Sequence, residues 1–82
     1  MEDTRIAVAA IIVENKDAVA ELNAILHEYG SIIIGRMGIP YPKKGLSIIS
    51  VAVDAPNETI SAMTGKLGRL PGVTVKTAYS KA

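Results

Sequence analysis

The chain contains no cysteine, no tryptophan and no phenylalanine, and its only histidine is His27. Without thiols it forms no disulfides, and it can ligate neither an iron–sulfur cluster nor a thiolate-bound zinc. His27 has no second imidazole to share a metal with, so it reads as a helix-surface residue and no metal or other cofactor is expected. Aromatic rings are limited to Tyr29, Tyr41 and Tyr79, so a chain of 82 residues must build its small core from aliphatic side chains. No apolar run approaches the ~18 residues of a membrane-spanning helix. The polar start, Met1-Glu2-Asp3-Thr4-Arg5, is unlike a signal peptide, and a cytoplasmic location is expected from it.

Catalytic patterns are missing too. No serine sits in a Gly-x-Ser-x-Gly context. Glu14 and Asp54 each end a predicted strand where the following helix favours negative charge, which accounts for both without catalysis. Thr64-Gly65-Lys66 lacks the earlier glycine and the following hydroxyl of a phosphate loop, since Ile60 and Leu67 stand there. The reading is therefore of a protein that is not an enzyme.

What the chain has in abundance is aliphatic residues in regular order. From Arg5 to Val13 both faces are apolar, which predicts a central strand covered on both sides. Asn15 is placed to cap a helix whose stripe is Ala18, Leu22, Ile25, Leu26 and Tyr29, with Gly30 as its expected left-handed stop. A second strand starts at Ser31 and is expected to fade between Gly35 and Ile39, because Pro40 and Pro42 lack backbone donors. Lys43-Lys44-Gly45 turns the chain into a third strand over 46–53, again apolar on both faces. Asp54-Ala55-Pro56 opens a second helix with the stripe Ile60, Met63, Leu67 and Leu70. Pro71-Gly72 ends it, and residues 73–79 form the last strand.

This order predicts a single α+β domain over residues 1–82 with a ferredoxin-like βαββαβ fold. It is a two-layer sandwich, a four-stranded antiparallel sheet with two helices on one face. Two helices cover only one sheet face, yet strands one and three carry large aliphatics on both. A homo-oligomer, dimer or tetramer, is therefore expected to bury the other face. The residues assigned to that interface are Ile34, Met37, Ile39, Ile49 and Val51. An RNA-binding sheet of the same topology needs exposed aromatics to stack bases, and strands one and three have none.

Charge is uneven. Residues 1–30 hold two cations against six carboxylates, net −4, and residues 31–82 hold seven cations against two carboxylates, net +5. Such polarity suits an anion-binding surface or self-association between unlike halves. Gly65 and Gly68 interrupt the second helix, which fits either fraying ahead of Pro71 or close approach by a neighbouring chain.

Ile34-Gly35-Arg36-Met37-Gly38-Ile39-Pro40-Tyr41, Gly45-Leu46-Ser47-Ile48-Ile49-Ser50, Asp54-Ala55-Pro56 and Leu67-Gly68-Arg69-Leu70-Pro71-Gly72-Val73 resemble the iron-only hydrogenase system regulator family. The similarity spans essentially the whole chain. It implies an ACT-like fold, akin also to the C-terminal domain of nickel-responsive repressors, and a transcriptional or other regulatory role in the hydrogenase system. Nickel sensing does not carry over, because those domains use several histidines and a cysteine. The Asp-x-x-Gly of amino-acid-binding ACT domains is also absent, Glu14-Asn15-Lys16-Asp17-Ala18 standing in its place.

The resemblance implies an oligomeric, ligand-sensing regulatory module. A ligand is expected at a subunit junction with Arg36 as anion partner, Tyr41 as lid or donor, and Gly35 and Gly38 allowing close backbone approach. The alternative is that these residues only shape a bulged hairpin, and that the protein is an adaptor for hydrogenase maturation without a small ligand. Either way the expected partners are further copies of the chain and another regulatory or maturation protein. Direct DNA binding is not expected, because no reading element precedes the domain, and neither is a membrane.

Overall fold

A computed structural model describes residues 3–81. The chain runs β1 (Arg5–Val13), α1 (Val19–Glu28), β2 (Ile33–Tyr41), β3 (Leu46–Ala55), α2 (Asn57–Gly68) and β4 (Val73–Tyr79). The strands form one antiparallel sheet in the order β2-β3-β1-β4. The expected ferredoxin-like sandwich is thus the observed architecture.

Alternation along the strands decides which residues the helices cover. Ala7, Ala9, Ile11 and Val13 of β1 are buried, as are Ile49, Val51, Val53 and Ala55 of β3. Leu22 and Leu26 of α1 and Ile60, Met63 and Leu67 of α2 close over them, each 1% exposed or less. Among the described residues the core contains no buried polar group. Tyr29 and Tyr79 pack at its margin. An all-aliphatic core satisfies itself by packing alone and needs no internal hydrogen bonds.

The β1–α1 corner and the α2–β4 corner lean on each other. Asn15 Oδ1 accepts from the Asp17 amide at 3.0 Å, capping the turn Lys16–Ala18 that leads into α1. The Glu14 amide donates to the Gly72 carbonyl at 2.8 Å, and Asn15 Nδ2 donates to the Pro71 carbonyl at 3.4 Å. Gly72 has φ +73°, and a Cβ there would lie 2.6 Å from Asn15 Cβ. Only glycine meets both demands. Gly45, at φ +67°, closes the turn Pro42–Lys44 between β2 and β3.

Expectations at both ends of β2 are corrected. Gly30 is not left-handed; it opens a single turn, Gly30–Ile32, so β2 begins at Ile33 and not at Ser31. β2 does not fade before Ile39 but continues through Pro40 to Tyr41. It lies at the sheet edge, where a missing backbone donor interrupts no second ladder. α2 stays helical through Gly68, and within the chain neither Gly65 nor Gly68 makes a close backbone contact.

Candidate functional site

The helix-free sheet face presents its side chains in cross-strand rows. Ile39, Ile48 and Ile12 lie side by side across β2, β3 and β1, and Thr74 of β4 ends the row. The next row is Met37, Ser50, Ala10 and Lys76, and beyond it come Ala52, Val8 and Ala78. Ile6, Val8, Ile12 and Ile48 are each more than 40% exposed, and Met37 reaches 59%. Over β1, β3 and β2 these rows carry no charge; Lys76 on β4 and Asp54 near the end of β3 mark the margins. If each of the six large side chains leaves roughly 80 Å² in water, the patch is on the order of 500 Å², within the ~300–600 Å² of the largest apolar patches on monomers.

The proposed interface residues divide between the two faces. Met37 and Ile39 lie on the open face, and Ile34 sits 62% exposed at a β-bulge between Ile33 and Gly35. Ile49 and Val51 do not belong there: they are buried beneath the helices, 7% and 0% exposed. Their neighbours Ile48, Ser50 and Ala52 face outward instead, because strand side chains alternate.

On the helix side, β2 lies beyond the cover that α1 and α2 give the rest of the sheet, leaving a groove. Gly38 and Pro40 add little bulk to its floor, and Val19 and Asn23 of α1 form the opposite wall. The Arg36 guanidinium reaches across and donates to Asn23 Oδ1 at 3.2 Å. This part has a volume of about 230 Å³. An adjoining hollow of about 200 Å³ shares Val19, Pro40 and Ser47 and is bounded by Lys16 and Tyr41.

Of the four residues expected to bind a ligand, Arg36 and Gly38 meet in the first part and Tyr41 lines the second. Gly35 lines neither; it sits at the bulge opposite Ala52, on the other side of the sheet. Sequence reading missed Lys16, Val19, Asn23 and Ser47. Only Val19 left a signal, as an aliphatic residue outside the α1 stripe that remains 37% exposed.

Lys66 is committed elsewhere. Its Nζ donates to Glu28 Oε2 at 2.9 Å and lies 5.2 Å from the Tyr29 ring centre, fastening α2 to α1. The hydrogen bond to Glu28 holds its pKa above the ordinary lysine value, with a smaller push from Tyr29. Among the described residues no group of three His, Asp or Glu is placed to hold a metal ion. No helix in the described part is long and apolar enough to cross a membrane.

Comparison with known proteins places these features in context. A family model described as "TM1266-like: Iron-only hydrogenase system regulator, putative" matches residues 5–77. The structure of an uncharacterized protein, TM1266 from Thermotoga maritima, superposes with a TM-score of 0.92 at 34% identity, covering 96% of this chain and all of that one. An unknown protein from Galdieria sulphuraria shares the fold at 15% identity, with a TM-score of 0.70 over 98% of this chain and 47% of its own. No curated protein matches the chain.

Proposed function

The chain belongs to the iron-only hydrogenase system regulator family, and we propose that it acts there as a non-enzymatic regulatory module assembled from identical copies. The observation that carries this reading is the uncharged aliphatic face over β1, β3 and β2, opposite the helices. A patch of its estimated size supplies more than half of the ~800 Å² that each partner contributes to a standard interface. A second copy fits it chemically, because like aliphatic rows face each other without burying a charge, and Lys76 and Asp54 stay at the rim.

A non-enzymatic reading is supported by what the grooves hold: an arginine, an asparagine, a lysine, a serine and a tyrosine, with the Ser47 hydroxyl hydrogen-bonded to no base among the described residues. Among the described residues α1 and α2 are separated by two strands and form no helix-turn-helix, so the regulatory output is read as contact with another protein and not with DNA. A regulator of this kind receives its signal as a small molecule bound beside Arg36.

Size-exclusion chromatography with light scattering at micromolar concentration tests the assembly. A mass of two or four chains is expected. A clean monomer overturns it.

A further inference from the structure

We infer that the groove between α1 and β2 binds a small organic anion, a carboxylate on a compact apolar body. The inference rests on the ligand-sensing part of the reading above and is independent of how many copies assemble. Its floor and one wall are apolar, supplied by Ile49, Pro40 and Val19. Its polar groups are donors or neutral: the Arg36 guanidinium, the Asn23 amide, the Ser47 hydroxyl and, in the adjoining hollow, the Lys16 ammonium and Tyr41 hydroxyl. No carboxylate lines either part. A cation beside an apolar floor with no local counter-ion selects a ligand that brings the negative charge itself.

Arg36 uses one Nη on Asn23, and the rest of its planar fork remains for a bidentate carboxylate. Asn23 fixes where the guanidinium sits, so little side-chain freedom is lost when an anion arrives. The two parts together reach the lower end of the ~300–1,000 Å³ that small-molecule sites occupy, room for a body of only several carbon atoms. A bare inorganic anion leaves the apolar floor unused, whereas an uncharged isostere leaves the guanidinium unmatched.

The geometry also supplies a blocking variant. A Cβ on Gly38 meets no atom within 4 Å, and Gly38 pairs with Ile49 on the helix side of the sheet. Gly38→Val therefore places its methyl groups in the groove without straining the fold, on a strand that favours β-branched residues.

The test is a heteronuclear NMR titration of the full chain with hexanoate, with benzoate as a rigid analogue and with hexanamide and inorganic phosphate as controls. Saturable shifts are expected at Val19, Asn23, Arg36 and Ser47 with hexanoate or benzoate. Hexanamide and phosphate are expected to bind at least tenfold more weakly, Arg36→Gln to lose about tenfold of carboxylate affinity, and Gly38→Val to lose binding altogether. No saturable shift up to about 10 mM carboxylate overturns the inference. So does hexanamide or phosphate binding as well as hexanoate, or binding that survives Gly38→Val. Light scattering on the same samples keeps the two readings apart: a monomer that binds hexanoate sinks only the assembly, and an assembled chain that ignores every carboxylate sinks only the groove.

Discussion

Replacing Ile48 by lysine separates a folded subunit from an assembled one. Ile48 sits between Ile39 and Ile12 in the central row of the open face, the three being 41%, 44% and 42% exposed. Taking a whole isoleucine as roughly 180 Å², each leaves ~75 Å² in water, so the row presents about 220 Å², on the order of 5 kcal/mol per copy when covered. Association costs about 4–15 kcal/mol in lost freedom, so two such rows, with Val8 and Met37 beside them, suffice for stable pairing. Ile48→Lys removes about 2 kcal/mol of burial from each copy and forces a cation into the contact. For a dimer that is at least ~4 kcal/mol, or about a thousandfold in dissociation constant. In an isolated subunit the same change falls on a position 41% exposed and costs about 1 kcal/mol, since the lysine stem keeps part of the cover while its ammonium reaches water. Sedimentation velocity over roughly 1–100 μM, with far-UV circular dichroism on the same samples, reads both effects. The parent chain is expected to sediment as an oligomer and the variant as a folded monomer. A variant that assembles as tightly as the parent refutes the open face as the interface.

Four further outcomes follow from single positions. Ile11→Ala, on the covered side of β1 and 0% exposed, should cost about 2–5 kcal/mol in urea unfolding at any protein concentration, while Ile12→Ala next to it should cost less than about 1 kcal/mol in a dilute monomer. Gly72→Ala must give up its positive φ and push Asn15 away, so a loss of about 1–3 kcal/mol is expected, and an unchanged urea midpoint would contradict the corner geometry. Gly68→Ala meets open space in the last turn of α2 and should raise stability by about 0.5–1 kcal/mol without changing the mass in solution. The folded pKa of Lys66 lies above 10.5, so its pairing contributes fully below that pH and is lost only as the pH rises through the higher folded value. The difference in melting temperature between the parent and Glu28→Gln should therefore stay constant from roughly pH 6 to 9 and shrink above about pH 10.5.

How far the chain could be read depended on whether the deciding interaction was local. The apolar run of β1 identified a central strand, and Ile60, Met63 and Leu67 identified the buried stripe of α2, because both periods lie within one element. Side assignment on β3 was harder. Its two faces are almost equally aliphatic, and only the packing of α1 and α2 determines that Ile49 and Val51 go inside while Ile48 stays out. The proline argument correctly kept β2 out of the sheet centre, but it shortened the strand, because an edge position tolerates Pro40. Gly30 looked like a helix stop by type, yet a short turn through Ile32 carries the chain off α1 without a positive φ. Arg36 and Gly38 stood out as irregularities in β2. Their partners Asn23 and Val19 belong to an otherwise ordinary helix and join them only through the tertiary fold.

The strand order has a consequence for how the protein comes into being. β1 leaves the ribosome before the other three strands, yet it lies between β3 and β4, and its pairings reach from Arg5 to Ala55 and from Ala7 to Tyr79. A growing chain therefore carries its most aliphatic strand with no ladder partner until β3 emerges, and cannot complete the sheet until β4 does. Long-range pairings of this kind slow folding and prolong the interval in which an adhesive strand is unprotected. Truncation ahead of β4 would leave one flank of β1 open for good, so expression of intact chains depends on the last strand as much as on the first.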